Sequence, residues 1–342
     1  MKDQENDPLH ASLPEALFDL HLWDQLSPHA CEEMARLVEK HMPASFRFLH
    51  VETFAAGTQQ HHMALFEWKP SANHPPCAFA LIPGGTATLG YDRTQRLVPR
   101  EDLVQEWQDS HRYEMDLNPG DTEMLRDCFP FESEEVYAHK YDALYAHMDK
   151  VLSPLRTITI SPFLLEITAR SPGQIFVSHR RYHQQRSMKE RTRVQLFMQS
   201  WPPPAPHQGI VSIVEREGFR LPTSDEWEYA CAAGSRTLFY WGNGPFEILS
   251  KENYPAGVNA FGLSIVQNAY QWEFCAEPGI MRGGDGGSAV CGGEGQLAAA
   301  LSLASAYMIR VPEERLITGV HGAHVRRLYD LIPPSPQQRE KI

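Results

Sequence analysis

The chain has few cysteines for its length and no obvious export signal. Its six cysteines, at positions 31, 77, 128, 231, 275 and 291, are widely separated and form no C-x-x-C pair. The first eight residues are polar and acidic, and they lack the basic and apolar regions of a signal peptide. We therefore expect reduced thiols in a cytoplasmic protein.

Basic charge and long apolar runs are also lacking. The sequence has 31 Lys and Arg residues against 43 Asp and Glu residues, which gives a net charge of −12. This charge argues against binding to nucleic acid or to acidic membranes. No apolar stretch reaches the roughly 20 residues that cross a bilayer. The 342 residues, 42% of them hydrophobic, predict one large domain with an appendage, or two domains.

The segment 220–230, RLPTSDEWEYA, predicts the start of a helix. Thr223 suits the N-cap position, and Glu226 three residues later completes a capping box. Pro222 precedes the helix, where its missing N–H has no consequence. Trp227 then begins an apolar face at helical spacing. An ordinary capped helix explains Thr223 and Glu226 but not the whole string.

The whole string resembles the R-L-P-T-E-A-E-W-E-Y-A signature of the formylglycine-generating enzyme (sulfatase-modifying factor) family. Five further stretches resemble motifs of that family in the same order, namely residues 80–85 (ALIPGG), 158–168, 240–243 (YWGN), 259–274 and 281–284 (MRGG). The resemblance covers about residues 78–330. It implies a modified C-type lectin fold of the α+β class over residues 76–332.

Residues 1–75 precede this resemblance. A helix is predicted over 27–41, and two strands over 46–54 and 62–68, joined around Gly57. These elements indicate either a small N-terminal α+β appendage or an extra hairpin on the main sheet.

Two other regions depart from the family pattern. Residues 92–153 form a helical insert, with predicted helices over 100–115 and 133–152. We expect this insert to cover one side of the domain or to build an interface. The final residues, 333–342, are predicted to be a disordered tail.

The candidate catalytic residues lie in a glycine-rich loop after residue 282. The resemblance implies a pair of cysteines here, which bind copper as thiolates and activate oxygen. Cys291 occupies one of these positions, but Gln296 occupies the other, so authentic formylglycine formation is not expected. We take Cys291, Ser288 and Asp285 as candidate catalytic residues, with Glu294 lining the same loop. The alternative is that Cys291 is only a small residue in a mobile loop.

Metal ligands are predicted in two places. The related ergothioneine-type sulfoxide synthases bind iron through histidines of an attached helical bundle. The first 75 residues are too short for such a bundle, but His179 and His183 have the i,i+4 spacing that brings two imidazoles to one metal. A solvated helix face is the alternative for this pair. Asn268 and Glu273 match a motif that supplies structural calcium ligands in the family.

Ligand-binding residues are predicted from charge and from the motifs. Arg180 and Arg181 lie in a basic stretch, and arginine suits carboxylate or phosphate groups, so an anionic ligand or an acidic partner is one interpretation. A solvated helix paired with the acidic insert is the other. Trp272 and Arg282 belong to the cleft-forming motifs and are further candidates.

The family's C-terminal G-F-R motif also differs in this chain. Residues 322–324 read Gly-Ala-His and residues 319–321 read Gly-Val-His. Either match puts histidine where the family has a buried arginine.

These observations predict two kinds of function. One is a metal- and oxygen-dependent oxidoreductase, using copper or iron and acting on a thiol or amino-acid-derived substrate, but not a sulfatase activator. The other is a non-catalytic lectin-fold module that binds a peptide or a small anionic molecule.

Overall fold

The computed structural model describes residues 13–56, 59–72, 74–117, 140–174, 204–244 and 257–332. It combines helices with three sheets of five, four and two strands. Apart from one parallel pair, the neighbouring strands in these sheets run antiparallel. The predicted α+β class is therefore confirmed.

The elements are numbered in chain order. The strands are β1 (Phe46–Ala56), β2 (Gln59–Trp68), β3 (Cys77–Ile82), β4 (Gly85–Leu89), β5 (Arg156–Ile160), β6 (Phe163–Glu166), β7 (Trp272–Phe274), β8 (Ile280–Arg282), β9 (Met308–Arg310), β10 (Ala323–His324) and β11 (Leu328–Asp330). The helices are α1 (Leu20–Asp24), α2 (Pro28–Lys40), α3 (Glu101–Leu117), α4 (Lys140–Val151), α5 (His207–Arg216), α6 (Ser224–Ala232), α7 (Ser288–Gly292), α8 (Gly295–Leu301) and α9 (Glu313–Thr318), with a 3₁₀ turn at Glu15–Phe18.

The five-stranded sheet has the order β1-β2-β3-β6-β11. The predicted helix over 27–41 and the two predicted strands correspond to α2, β1 and β2. Strand β2 pairs with β3, with Leu65 opposite Ala80, so the N-terminal hairpin extends the main sheet. The turn at Gly57 lies outside the described residues.

The main sheet separates two hydrophobic cores. Successive side chains of a strand point to opposite faces. In β3, Ala80 and Ile82 therefore pack in one core, and Phe79 and Leu81 pack in the other. All four residues are buried, as expected for a strand that is covered on both faces.

The insert contributes two helices to the first of these cores. Helix α3 supplies Leu103, Val104 and Trp107, and α4 supplies Leu144 and Met148. Helix α3 also contacts α8. The predicted helix over 100–115 is confirmed, and the described part of the helix predicted over 133–152 begins at Lys140. The insert therefore covers one side of the domain.

The signature segment begins α6 as predicted. The hydroxyl of Thr223 accepts from the backbone N–H of Glu226 at 3.2 Å, and the Glu226 carboxylate accepts from the N–H of Thr223 at 2.8 Å. Trp227 and Tyr229 are buried. Helix α6 therefore lies in the interior, where the neighbouring elements pack against it.

Within the described ranges, no helix has both the length and the apolar character required to cross a membrane.

Candidate functional site

The glycine-rich loop joins β8 to α7 and packs against the segment that leads into β7. Gly284 has a φ of +148°, and a Cβ there would lie 2.7 Å from the carbonyl oxygens of Ala269 and Gln271. Only glycine allows this close approach of two backbone segments. The loop is therefore held against residues 269–271.

Asp285 holds the second half of this loop. Its carboxylate accepts from the N–H of Gly287 at 2.8 Å and from the N–H of Ala289 at 2.9 Å. Burial raises the pKa of Asp285, while the backbone N–H groups act in the opposite direction. These contacts satisfy N–H groups at the start of α7, where Ser288 is the first residue. Asp285 therefore positions the helix that carries Cys291.

Cys291 is the exposed thiol in this part of the molecule. Its sulfur lies 3.3 Å from the hydroxyl oxygen of Tyr270. The other described cysteines, Cys31, Cys77, Cys231 and Cys275, are buried, and all five are free thiols. Burial raises the pKa of Cys31 and of Cys231 to about 12, and it also raises the pKa of Cys275 and of Cys77. Of these five cysteines, Cys291 is therefore expected to react first with an external molecule.

Trp272 joins the loop to the turn before β10. Its indole N–H donates to the carbonyl of His321 at 2.6 Å. A Cβ at Gly286 would lie 3.1 Å from its ring, and one at Gly322 would lie 3.3 Å from its nitrogen. The ring is half-buried between these two glycines, so one part of it can still face a ligand.

Arg282 lies beneath the loop in a buried network. Its guanidinium is 2.8 Å from a carboxylate oxygen of Glu228, and its Nε donates to the hydroxyl of Ser224 at 2.9 Å. The remaining donors point to the backbone carbonyls of Ser305 and Tyr307. Because only 1% of Arg282 is exposed, its contacts are those of a structural ion pair.

Glu273, the candidate calcium ligand, also has internal partners. Both of its carboxylate oxygens accept from Arg326 at 2.8 Å, and one of them accepts from the indole N–H of Trp227 at 2.8 Å. Asn268 accepts from the backbone N–H of Tyr270 at 3.0 Å, as in a side-chain-stabilised turn. The oxygens that calcium would need are already hydrogen-bonded within the protein.

The donor set in the described ranges does not fit a redox metal by itself. There, no group of three or more His, Cys, Asp or Glu side chains is arranged to hold a metal ion. The other predicted site residues, His179, Arg180, Arg181 and His183, lie outside the described residues, so their predicted roles stay predictions.

The sequence reasoning missed two buried arginines. The motif match predicted a histidine at the position where the family has a buried arginine. In the structure, Arg326 and Arg327 follow shortly after His324 and are each only 1% exposed. Arg326 binds Glu273, and Arg327 pairs with Glu166 at 2.8 Å. His324 is itself buried and hydrogen-bonds the carbonyl of Gly322. The sequence feature that could have indicated these buried arginines is the Arg-Arg pair between the apolar residues Val325 and Leu328.

No protein-family model matches this chain, and no curated protein shows significant similarity to it.

Proposed function

We propose that this protein is a formylglycine-generating-enzyme-like oxidoreductase with a modified C-type lectin fold. It would act on a thiol or an amino-acid-derived substrate in a metal- and oxygen-dependent reaction, and it would not activate sulfatases. The observation that supports this proposal is the exposed thiol of Cys291, which lies on the glycine-rich loop beside Tyr270. The five free thiols support a reducing compartment such as the cytoplasm.

Three residues in or beside the glycine-rich loop would each have a role in the proposed reaction. Cys291 would meet the substrate, because its thiol is exposed. The hydroxyl of Tyr270 would orient that thiol through their 3.3 Å contact. Asp285 would keep α7 in place through its contacts with the N–H groups of Gly287 and Ala289.

A bound copper or iron ion would supply oxygen activation. The described side chains do not complete such a site, and the carboxylates of Glu273 and Asp285 are already hydrogen-bonded within the protein. His179 and His183 are the remaining candidate ligands. A proposed calcium ion would need ligands beyond Asn268 and Glu273 for the same reason.

A second candidate function is a non-catalytic binding module for a peptide or a small anionic ligand. The observation that favours it is the internal pairing of Arg282 with Glu228 and of Glu273 with Arg326. These buried pairs compensate each other's charge within the protein, so their side chains support the fold and are not offered to a metal ion.

One experiment separates the two candidates. Metal content is measured by elemental analysis on untagged protein purified without chelator, and oxygen uptake is followed with free cysteine as the probe. Near-stoichiometric copper or iron, with oxygen uptake that is lost in Cys291→Ser, supports the oxidoreductase. Calcium alone, or no metal, together with no oxygen uptake, rejects it and favours the binding module. The variant His179→Ala/His183→Ala then tests whether these two histidines hold the metal.

A further inference from the structure

A cavity of about 300 Å³ lies where the end of α6 meets the segment that follows β4. Its walls are formed by residues 88–92, by Glu228 and Ala232 of α6, by residues 235–238 and by Ser305 and Ala306. None of its described lining residues belongs to the glycine-rich loop. Its volume is at the lower end of the range for small-molecule sites in proteins.

Glu228 is a buried acid in the wall of this cavity, and only 1% of it is exposed. Three groups reach its carboxylate, and all of them reach the same oxygen, Oε2: the hydroxyl of Ser153 at 2.7 Å, and the guanidinium groups of Arg156 and Arg282 at 2.8 Å each. No described group donates to the second oxygen, Oε1, which keeps a small accessible surface. Since buried polar atoms almost always have a partner, Oε1 calls for a donor that enters the cavity.

Ser305 supplies a donor close to this acceptor. Burial raises the pKa of Cys231 to about 12, so its thiol stays protonated and donates to the hydroxyl oxygen of Ser305 at 3.7 Å. The proton of the Ser305 hydroxyl is then available to a group in the cavity. Cys231 follows Glu228 by three residues on α6, which makes their side chains neighbours. Arg282 contacts both Glu228 and the backbone carbonyl of Ser305, so the acceptor and the donor lie near each other.

The charge of Glu228 is already compensated. Arg156 and Arg282 both pair with it, and Arg156 also pairs with Asp225, so two guanidinium groups meet two carboxylates. A cation in the cavity would lie near these guanidinium groups, and an anion would meet the unshared oxygen of Glu228. Burying a charge without a partner is costly. This part of the cavity therefore suits a neutral group that both donates and accepts, which a hydroxyl does.

The rest of the lining carries no net charge. Asp92 and Arg236 have opposite charges, and Arg236 adds to the effect of the Thr94 hydrogen bonds, which lower the pKa of Asp92. Apart from Glu228, the other described side chains of the lining are uncharged. They include the hydroxyl and amide groups of Thr88, Gln95, Thr237 and Asn243.

We propose that this cavity binds a small neutral polyol about as large as a monosaccharide. One hydroxyl group of the ligand donates to Oε1 of Glu228 and accepts from the hydroxyl of Ser305. Its other hydroxyl groups contact the uncharged polar lining, and its carbon skeleton packs against Ala232 and Ala306. This proposal does not rest on the chemistry proposed for Cys291.

Isothermal titration of the wild-type protein with D-glucose, D-galactose and D-mannose tests the proposal. We expect at least one of these hexoses to bind with a dissociation constant of at most ~10 mM. The hexose that binds best is then compared with its protonated 2-amino analogue and with its uronate, which each add one charge. Both analogues should bind at least ~10-fold more weakly, because the cavity leaves the added charge without a partner.

Alanine methyl groups show where the hexose binds. Ala232 and Ala306 line the cavity, whereas Ala298 and Ala300 lie in the hydrophobic core and do not line it. In wild-type protein with ¹³C-methyl-labelled alanine, we expect the hexose to shift the resonances of the first pair and to leave those of the second pair unchanged. This measurement needs no variant of the cavity, so it stands even where a variant fails to fold.

Variants give a second, independent readout. Ser305→Ala removes the donor and should weaken hexose binding ~3–10-fold. Its matched control, Ser302→Ala, changes another buried serine, whose hydroxyl donates to the carbonyl of Ala299 and which does not line the cavity, so we expect wild-type affinity. Ala232→Leu places a larger side chain in the cavity and should abolish binding. Circular dichroism checks that each variant is folded.

Three results would overturn the proposal. One is the absence of binding of all three hexoses to the wild-type protein at up to about 50 mM, well above a weak dissociation constant. Another is a charged analogue that binds as tightly as its neutral hexose, which would mean that the cavity takes an ion. The third is a hexose that binds without shifting the resonances of Ala232 and Ala306, which would place it elsewhere on the molecule.

Discussion

Glu273 and Arg326, 53 residues apart in the chain, form a two-pronged ion pair with both contacts at 2.8 Å. Trp227 of the signature helix donates to the same carboxylate. The remaining guanidinium donors reach the backbone carbonyls of Glu166, Ile167 and Ser264. The charges of Glu273 and Arg326 compensate each other. Through the contacts of these two residues, the pair connects the signature helix, the four-stranded sheet and the main sheet.

Removing one member of this pair should destabilise the protein strongly. In Arg326→Met, the carboxylate of Glu273 stays buried without its counter-ion, and we expect a loss of about 3–5 kcal/mol in the free energy of unfolding. Urea unfolding followed by circular dichroism measures it. The control is Arg36→Ala, whose pair with Glu32 is solvent-exposed and should contribute at most ~1 kcal/mol. Equal losses in the two variants would contradict this account of the buried pair.

Alkylation should distinguish the described cysteines by their burial. We expect iodoacetamide to modify Cys291 in the folded protein, because its thiol is exposed, and to leave Cys31, Cys77, Cys231 and Cys275 unmodified until urea unfolds the chain. Peptide mass spectrometry identifies the modified residue. Among the described cysteines, Cys291→Ser should remove the fast reaction, and it should change the free energy of unfolding by no more than ~0.5 kcal/mol. Fast labelling of Cys275 in native protein would be inconsistent with its buried position.

Gly90 should not tolerate a side chain. Its φ is +93°, and a Cβ there would lie 2.1 Å from the carbonyl oxygen of Pro154. Gly218 has a similar φ of +84°, but no atom lies within 4 Å of the corresponding position. We expect Gly218→Ala to lower the free energy of unfolding by the backbone strain alone, ~1–2 kcal/mol. Gly90→Ala should lower it by at least ~2 kcal/mol more. Thermal and urea unfolding compare the two, and similar losses would mean that the contact with Pro154 relaxes easily.

Stability should fall as the solution becomes mildly acidic. Burial lowers the pKa of His324 and the pKa of His62 from the ordinary value of 6.5. Below about pH 6.5, the unfolded chain binds protons at these rings that the folded protein does not bind. The contribution of these two rings to the free energy of unfolding is therefore complete above the pKa of the unfolded chain. It is lost as the pH drops through the pKa of the folded protein, by up to ~1.4 kcal/mol per pH unit for each ring.

Unfolding free energies at about pH 7.5, 6.5 and 5.5 test this dependence on histidine titration. We expect His324→Gln to reduce the slope below pH 6.5, because one of the two rings whose pKa is lowered is gone. The control is His29→Gln, which changes a histidine whose side chain is 81% exposed. An unchanged slope in His324→Gln would show that other groups cause the dependence.

Local sequence signals predicted individual elements well. The capping box at Thr223 and Glu226, the helix over 27–41 and the apolar spacing in the insert each depend on residues close together in the chain. The α+β class follows from the mixture of these elements.

Contacts between distant residues could not be predicted in this way. The sequence around Glu273 does not indicate that Arg326 binds both oxygens of its carboxylate. Nor does the sequence around Arg282 indicate that this residue lies under the loop and pairs with Glu228. These partners are set by how the sheets and α6 pack together. For the same reason, the contact between His61 Nδ1 and the Asp24 carboxylate, at 2.6 Å, could not be predicted.

The position of β11 has a consequence for synthesis of the chain. This strand lies beside β6, with Leu328 opposite Leu165, although the two strands are far apart in the chain. Until β11 has been synthesised, β6 therefore has one unpaired edge, and Glu166 lacks its partner Arg327. Pairing between such distant segments closes long loops, which slows folding. We therefore expect the main sheet to be completed only after β11 has left the ribosome, and a nascent chain that stops before β11 to depend on chaperones.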